Sequence, residues 1–409
     1  MKRLLAITLG ILTAIGGFVD IGDLVANGVV GSRFGMHLAW VVVVGVGGIC
    51  VYAEMCGRVA ATSGRPVFDI VRERLGPRWG LANLFASFLV TALTLTAEIG
   101  GVALALELAS TVSYLLWAPL VAFAVWVVIW RVSFKRMETT FGLLGLLLLV
   151  FGVAVWRLRP DYGALWSQLA APEHTGGEGW ATYAFFAVAL FGAAMTPYEV
   201  FFFSSGGVEE RWTRRDLPVM RANVLLGFPL GGLLSLFIMA AAAVYLRPGG
   251  IRVEKLDDLV SPVTAALGKV GLALAIIAIF AATFGAALET GLSCGYSAAQ
   301  YFGWQWGKFV RPREASRFHV TVLASIIIGL LIILTTVDPV KVTEYSIVLS
   351  AGALPLTYLP ILVVANDPDY MGEHVNGRLV NGVATAYLVV VLVASVAAIP
   401  LMIVTGAGA

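Results

Sequence analysis

Charge is scarce in this sequence, and cysteine and histidine are scarcer still. Only 13% of its 409 residues are Asp, Glu, Lys or Arg, about half the share of a soluble domain. With 59% apolar residues and a mean hydropathy of +0.90, a soluble fold of this length could not hide its apolar surface. The net charge of +2 is too small to call for nucleic acid. Cys50, Cys56 and Cys294 lack metal-site spacing and lie in or beside apolar runs, so they read as buried free thiols and exclude a zinc or redox motif. His37, His174, His319 and His374 fall at the edges of apolar runs or in loops. There is no Gly-rich phosphate loop, no nucleophile–base arrangement and no metalloprotease helix. An enzyme has little support, and no cofactor or obligate protein partner is called for.

What the chain does have is apolar runs of ~20 residues, each long enough to cross a bilayer core. Backbone polar groups in lipid must be satisfied internally, and the alternating pattern of a membrane barrel is absent, so the runs are expected to be helices. Eleven spans are expected, near 4–30, 36–57, 81–109, 112–130, 138–156, 181–207, 219–246, 270–301, 318–336, 343–365 and 379–404. Lys2 and Arg3 before an apolar stretch resemble a signal peptide. The stretch continues past Asp20 without a clean cleavage site, so a retained first span is expected. Most of the 27 Lys and Arg residues fall on alternate connecting segments, notably Arg58–Arg78, Arg131–Arg136, Arg211–Arg221 and Lys308–Arg317. By the positive-inside rule these are cytoplasmic, with the N-terminus inside and the C-terminus outside, in the plasma membrane. Trp40, Trp79, Trp130, Trp156, Trp180, Trp304 and Trp306 sit where interfacial anchors belong. The segment 161–180 and Arg211, Arg214 and Arg215 read as solvated loop and topology signal.

No Lys or Arg stands in the middle of a span, whereas Asp20, Asp23, Glu98, Glu199 and Glu289 do. An ionisable group at membrane depth costs at least ~2.5 kcal/mol and faces a cavity or a partner. Carboxylates without basic partners imply protonation or a bound cation. For Glu289 alone, a protonated packing residue explains the position equally well.

Two spans are interrupted where acids sit. The first reads Gly16-Gly17-Phe18-Val19-Asp20-Ile21-Gly22-Asp23, with glycines that weaken a helix. The sixth reads Met195-Thr196-Pro197-Tyr198-Glu199, and Pro197 removes a donor and clashes with the preceding turn. Five spans separate the breaks, so the two interrupted spans cross in opposite directions. Spans one to five (1–156) and six to ten (181–365) can then form an inverted repeat, with 379–404 appended and an ion site where the broken helices meet.

These residues resemble the Nramp family of divalent metal transporters. The family's Asp-Pro-Gly-Asn corresponds to Asp20-Ile21-Gly22-Asp23, and its Met-Pro-His to Thr196-Pro197-Tyr198. Gly28, Gly31 and Gly35 before Leu38-Ala39-Trp40, then Arg58 to Gly64, and Ala97-Glu98 before Ala103 to Leu106, extend the likeness. The resemblance implies an all-α LeuT-like fold, a five-plus-five inverted repeat with one extra helix. It also implies alternating access around a metal held by Asp20, Asp23 and Thr196, with Glu199 beside them and the carbonyls of Gly17 and Ala193. Gly22, Pro197 and Tyr198 mark the breaks.

The departures shift the expected cargo. A family thioether becomes the Thr196 hydroxyl, and oxygen donors suit Mg²⁺, Ca²⁺ or Mn²⁺. Mg²⁺, partly hydrated, is the expected ion, with Mn²⁺ as a second. Met195 is one residue from restoring a sulfur. The family's His becomes Tyr198 and a second third-span acid becomes Leu95, so flux without proton coupling is expected, although Glu98 is retained. The alternatives are a proton-coupled Mn²⁺/Fe²⁺ transporter and a sodium-coupled amino-acid carrier of the same architecture, whose carboxylate substrate the acids would repel.

Overall fold

The computed structural model describes residues 18–170 and 177–408. Among these, every regular element is an α-helix or a short 3-10 turn. Ten helical stretches are long and apolar enough to cross a membrane, and they coincide in order with the second to eleventh expected spans. The first span is represented by α1 (Ile21–Phe34), since its earlier part lies outside the described residues.

The chain continues through α2 (Ala39–Ser63), a short α3 (Val67–Leu75) and α4 (Pro77–Ser110). Next come α5 (Tyr114–Arg131), α6 (Phe134–Gly145) and α7 (Leu149–Leu158), the last two joined by the 3-10 turn Leu146–Leu148. After α8 (Tyr162–Ala170), α9 (Trp180–Ala194) and α10 (Pro197–Glu209) share one span. The remainder comprises α11 (Leu217–Tyr245), α12 (Leu256–Phe302), α13 (Ser316–Leu334), α14 (Pro339–Ala365), α15 (Pro368–Met371) and α16 (Arg378–Val404).

Burial separates centre from periphery. The most apolar stretch of α9–α10 is 89% buried and that of α16 only 17%. Leu379, Val393, Val396 and Ile403 of α16 face outward, as lipid-facing residues do. Close approach inside the bundle relies on small residues. A Cβ on Gly31 would collide with the Met239 carbonyl of α11, and one on Gly192 would come 2.6 Å from the Ile347 carbonyl of α14.

One helix is longer than the hydropathy pattern indicates. Residues 256–267 precede the expected span at 270, with Gly268 at φ +64° and ψ −150° as the joint, a conformation open to glycine. Leu256, Leu259, Val260 and Val263 of this forepart are buried, and Leu259 packs on Gly28 of α1. Its charged start, Lys255-Leu256-Asp257-Asp258, masks it from a hydropathy scan.

The connecting segments assort into two ends, as the charge pattern requires. Arg72 donates to the Tyr301 carbonyl, Arg58 to His374 and Asn376, and Arg74 pairs with Asp367 at 2.6 Å. Arg221 pairs with Glu54 at 2.9 Å at the same end. At the other end Arg33 and Arg252 meet Glu178 at 2.9 and 3.4 Å, and Arg247 reaches Gln168.

Candidate metal site

The two interruptions lie side by side in the bundle. Val19 and Asp20 are non-helical, and Asp20 is the N-cap of α1 in extended conformation (φ −99°, ψ 179°). Its Oδ1 accepts from the Asp23 amide at 2.8 Å, which satisfies one orphan donor of the helix start. A second is taken from far away in sequence: Glu98 Oε1 on α4 accepts from the Ile21 amide at 2.9 Å. Both carboxylates thus stand at the positive end of the α1 dipole, which favours negative charge. Gly22 leaves room for this arrangement, since a Cβ there would come 2.8 Å from Ile347 and 3.0 Å from Asp20.

In the sixth span the ladder of α9 ends with Met195 N–H donating to the Phe191 carbonyl. Pro197 has no N–H to offer Ala193, so the carbonyls after Phe191 leave the ladder. Ser350 donates to the Gly192 carbonyl at 3.3 Å and Tyr358 to the Met195 carbonyl at 3.2 Å. Thr196 is the N-cap of α10, with Pro197 at the first helical position, where a missing donor costs nothing. The Thr196 hydroxyl donates to Glu199 Oε2 at 3.4 Å. Met195 turns elsewhere: its Sδ would lie 2.7 Å from a Cβ on Gly48, beside Tyr387.

A hydrogen bond joins the breaks. The Tyr198 hydroxyl donates to Asp20 Oδ2 at 3.2 Å. Asp23 faces away from that contact; its Oδ1 accepts from Asn27 at 2.9 Å and its Oδ2 from Ser235 of α11. Asp20 lies within electrostatic reach of Asp23, Glu98, Glu199 and Glu289, and Glu289 within reach of Glu98 and Glu199. No described Lys or Arg is near enough to offset them. All five acids are at most 9% exposed. Glu98 Oε2 and Glu199 Oε1 have no hydrogen-bond partner among the described residues.

The sequence-expected residues are therefore brought into one neighbourhood, without converging on one point. Among the described residues, no three Asp, Glu, His or Cys side chains stand where they could together hold one ion. Gly17 lies outside the described residues, and Ala193 is at the frayed end of α9. Sequence reasoning missed Ser235, Asn27 and Tyr358 as partners of the breaks. Polar groups within apolar runs, a hydroxyl on Ser235 and Tyr358 and an amide on Asn27, were the available signal.

Comparison with known proteins follows this geometry. The natural resistance-associated macrophage protein-like (Nramp) family model matches residues 10–400. The divalent metal cation transporter MntH of Pectobacterium carotovorum is 27% identical over 387 residues, covering 93% of this chain and 90% of its own. MntH of Deinococcus radiodurans is 24% identical, covering 92% and 85%. The crystal structure of the Eremococcus coleocola manganese transporter superposes with a TM-score of 0.69 at 18% identity, covering 96% of this chain and 85% of that one. MhsT in complex with L-phenylalanine superposes at 0.60 with 15% identity, covering 95% and 98%. These structures share the LeuT-type fold. With paired helix breaks, intramembrane acids and a family match across nearly its whole length, the chain belongs to the Nramp family.

Proposed function

We propose that this protein carries divalent metal cations across the plasma membrane by alternating access, binding them between the two helix breaks. The observation that carries the reading is Asp20 Oδ2. It meets the second break through Tyr198 inside a group of five buried acids with no basic neighbour among the described residues. The cation's ligands would be Asp20, Thr196, Glu199 and the loosened carbonyls at Ala193 and, in the family pattern, Gly17. Asp23 would join on release from Ser235. The repeats would be 1–156 and 181–365, with 379–404 appended, and the Arg-rich end of the bundle would face the cytoplasm.

Mn²⁺ with proton coupling through the retained Glu98 is the first reading, supported by one relative named a divalent metal cation transporter and a structural neighbour named a manganese transporter. Mg²⁺ without proton coupling is the second reading. It is favoured by the all-oxygen donor set, since Met195 packs on Gly48 and Thr196 takes its place at the break, and by Tyr198 and Leu95 at the altered family positions. An amino-acid substrate is disfavoured, because the acids would repel its carboxylate. Proteoliposomes loaded with metal- and pH-sensitive dyes decide among these. Mn²⁺ uptake with proton influx supports the first reading, and Mg²⁺ flux without proton influx the second. Absence of flux for every divalent ion tested rejects both.

A further inference from the structure

More acids gather at the breaks than one divalent cargo ion needs for charge balance. Five carboxyl groups gather there, none with a basic group beside it among the described residues, and two carboxylates balance one divalent cation. Glu289 is the member that no element of the breaks explains: it sits on α12, within reach of Asp20, Glu98 and Glu199.

A second observation comes from the helix that carries it. Glu289, Ser293, Ser297 and Gln300 recur at helical spacing on one face of α12, and all are at most 9% exposed. The opposite face, at Gly291 and Gly295, packs on Ile326, Phe318 and Val322 of α13. Ser293, one turn beyond Glu289, has no hydrogen-bond partner for its hydroxyl among the described residues. A helix-packing serine would bond back to its own helix, as Ser297 does to the Ser293 carbonyl at 2.8 Å. A buried hydroxyl left without a partner costs about 1–3 kcal/mol, so it fits a site that something polar enters.

The facing helix repeats the pattern. On α4, Asn83, Ser87, Thr91, Thr94 and Glu98 form a buried stripe, roughly 22 Å long at 1.5 Å per residue. Asn83 Nδ2 and Glu98 Oε2 are again without a hydrogen-bond partner among the described residues. At the Arg-rich end Gln300 of the α12 stripe donates to Ser205 of α10 at 2.8 Å. Thr94 of the α4 stripe shares a 3.0 Å hydrogen bond with Ser346 of α14.

We infer that Glu289 and Ser293, with the free Oε2 of Glu98, form a second station for a hydrated divalent cation, between the helix breaks and the Arg-rich end. The inference rests on the transport reading above. The spread of these donors fits an ion that keeps its water shell and is held through it, as Mg²⁺-like ions are. The polar stripes then supply hydroxyl and amide groups for that water along α4 and α12.

Equilibrium binding of Mn²⁺ to the full-length protein in nanodiscs, counted by loss of the free-ion paramagnetic resonance signal, tests this. Wild type is expected to bind two ions, with Asp20→Asn and Glu289→Gln each binding one and the double variant none. Glu289→Asp, which keeps the charge, should retain the second ion at several-fold weaker affinity and controls for folding. Glu289→Gln binding as many ions as wild type overturns the station, as does a wild type that binds a single ion. If Asp20→Asn still costs one ion in that case, the transport reading stands while the station falls. No Mn²⁺ bound by wild type rejects both.

Discussion

Asp20 has two oxygens with separate duties. Oδ1 caps α1 through the Asp23 amide, and Oδ2 reaches the second break through Tyr198. Substitutions can separate these duties. Asn is as good an N-cap as Asp, whereas Ala lacks the cap and costs about 1 kcal/mol. Asp20→Asn is expected to retain the thermal midpoint and lower metal uptake at least ~30-fold, equivalent to losing a charge-assisted contact of ~2 kcal/mol. Asp20→Ala should lose uptake and stability together. Transport at wild-type rates in Asp20→Asn liposomes would remove Asp20 from the site. Tyr198→Phe tests the opposite effect. The hydroxyl at 3.2 Å competes with a cation for Oδ2, so its removal should lower the KM for the metal about three- to fivefold, the value of a hydrogen bond of ~1 kcal/mol. An unchanged or raised KM would make Tyr198 a ligand-side or structural group instead.

The helices were legible in the sequence where composition alone decides them, and the breaks where a single residue type does. Pro197 forces a stop because it lacks an N–H, and the ladder of α9 does end just before it. Pairing across the bundle was not legible. Glu98 was singled out as an isolated intramembrane acid, but its bond to the Ile21 amide, 77 residues away, depends on how α4 packs against α1. Asp23 is a ligand by the family resemblance, through its match to the motif's Asn, whereas its bonds to Asn27 and Ser235 arise because the third helical position points to α11. The forepart of α12 escaped for a different reason: a charged start and a glycine joint break the apolar run without breaking the packing. Pro197 itself yields a prediction at this scale. Pro197→Ala restores a donor for the Ala193 carbonyl and permits one continuous helix from 180 to 209. Uptake should fall at least tenfold, while thermal stability stays equal or rises, because a proline within a helix disfavours it by ~3 kcal/mol. Wild-type uptake with a continuous helix would show that the break is dispensable.

Alternating access requires the two ends of the molecule to open at different times, so the bonds holding each end are under functional constraint. At the end opposite the Arg-rich segments, Glu178 draws together Arg33 at the close of α1 and Arg252 before α12. The Arg33 side chain is only 6% exposed and that of Glu178 21%, so this pair is better shielded than an ordinary surface ion pair. The hydrogen bond from Arg33 holds the Glu178 carboxyl below its usual range, with the Arg33 and Arg252 charges adding to the effect. A group whose folded pKa is lowered stabilises above its unfolded value, ~4.3 for Glu, and loses that contribution as the pH falls through the folded one. In detergent at neutral pH, Glu178→Gln should therefore melt a few degrees below wild type and exchange amide hydrogens faster in α1 and the start of α12. The two proteins should converge as the pH falls below the unfolded value of ~4.3 and through the lowered folded one, where wild-type Glu178 also becomes neutral. A gap that persists unchanged in acid would mean that Glu178 acts through packing rather than charge. A gap confined to hydrogen exchange at this end, with the Arg-rich end unaffected, would show that each end is latched independently, as alternating opening demands.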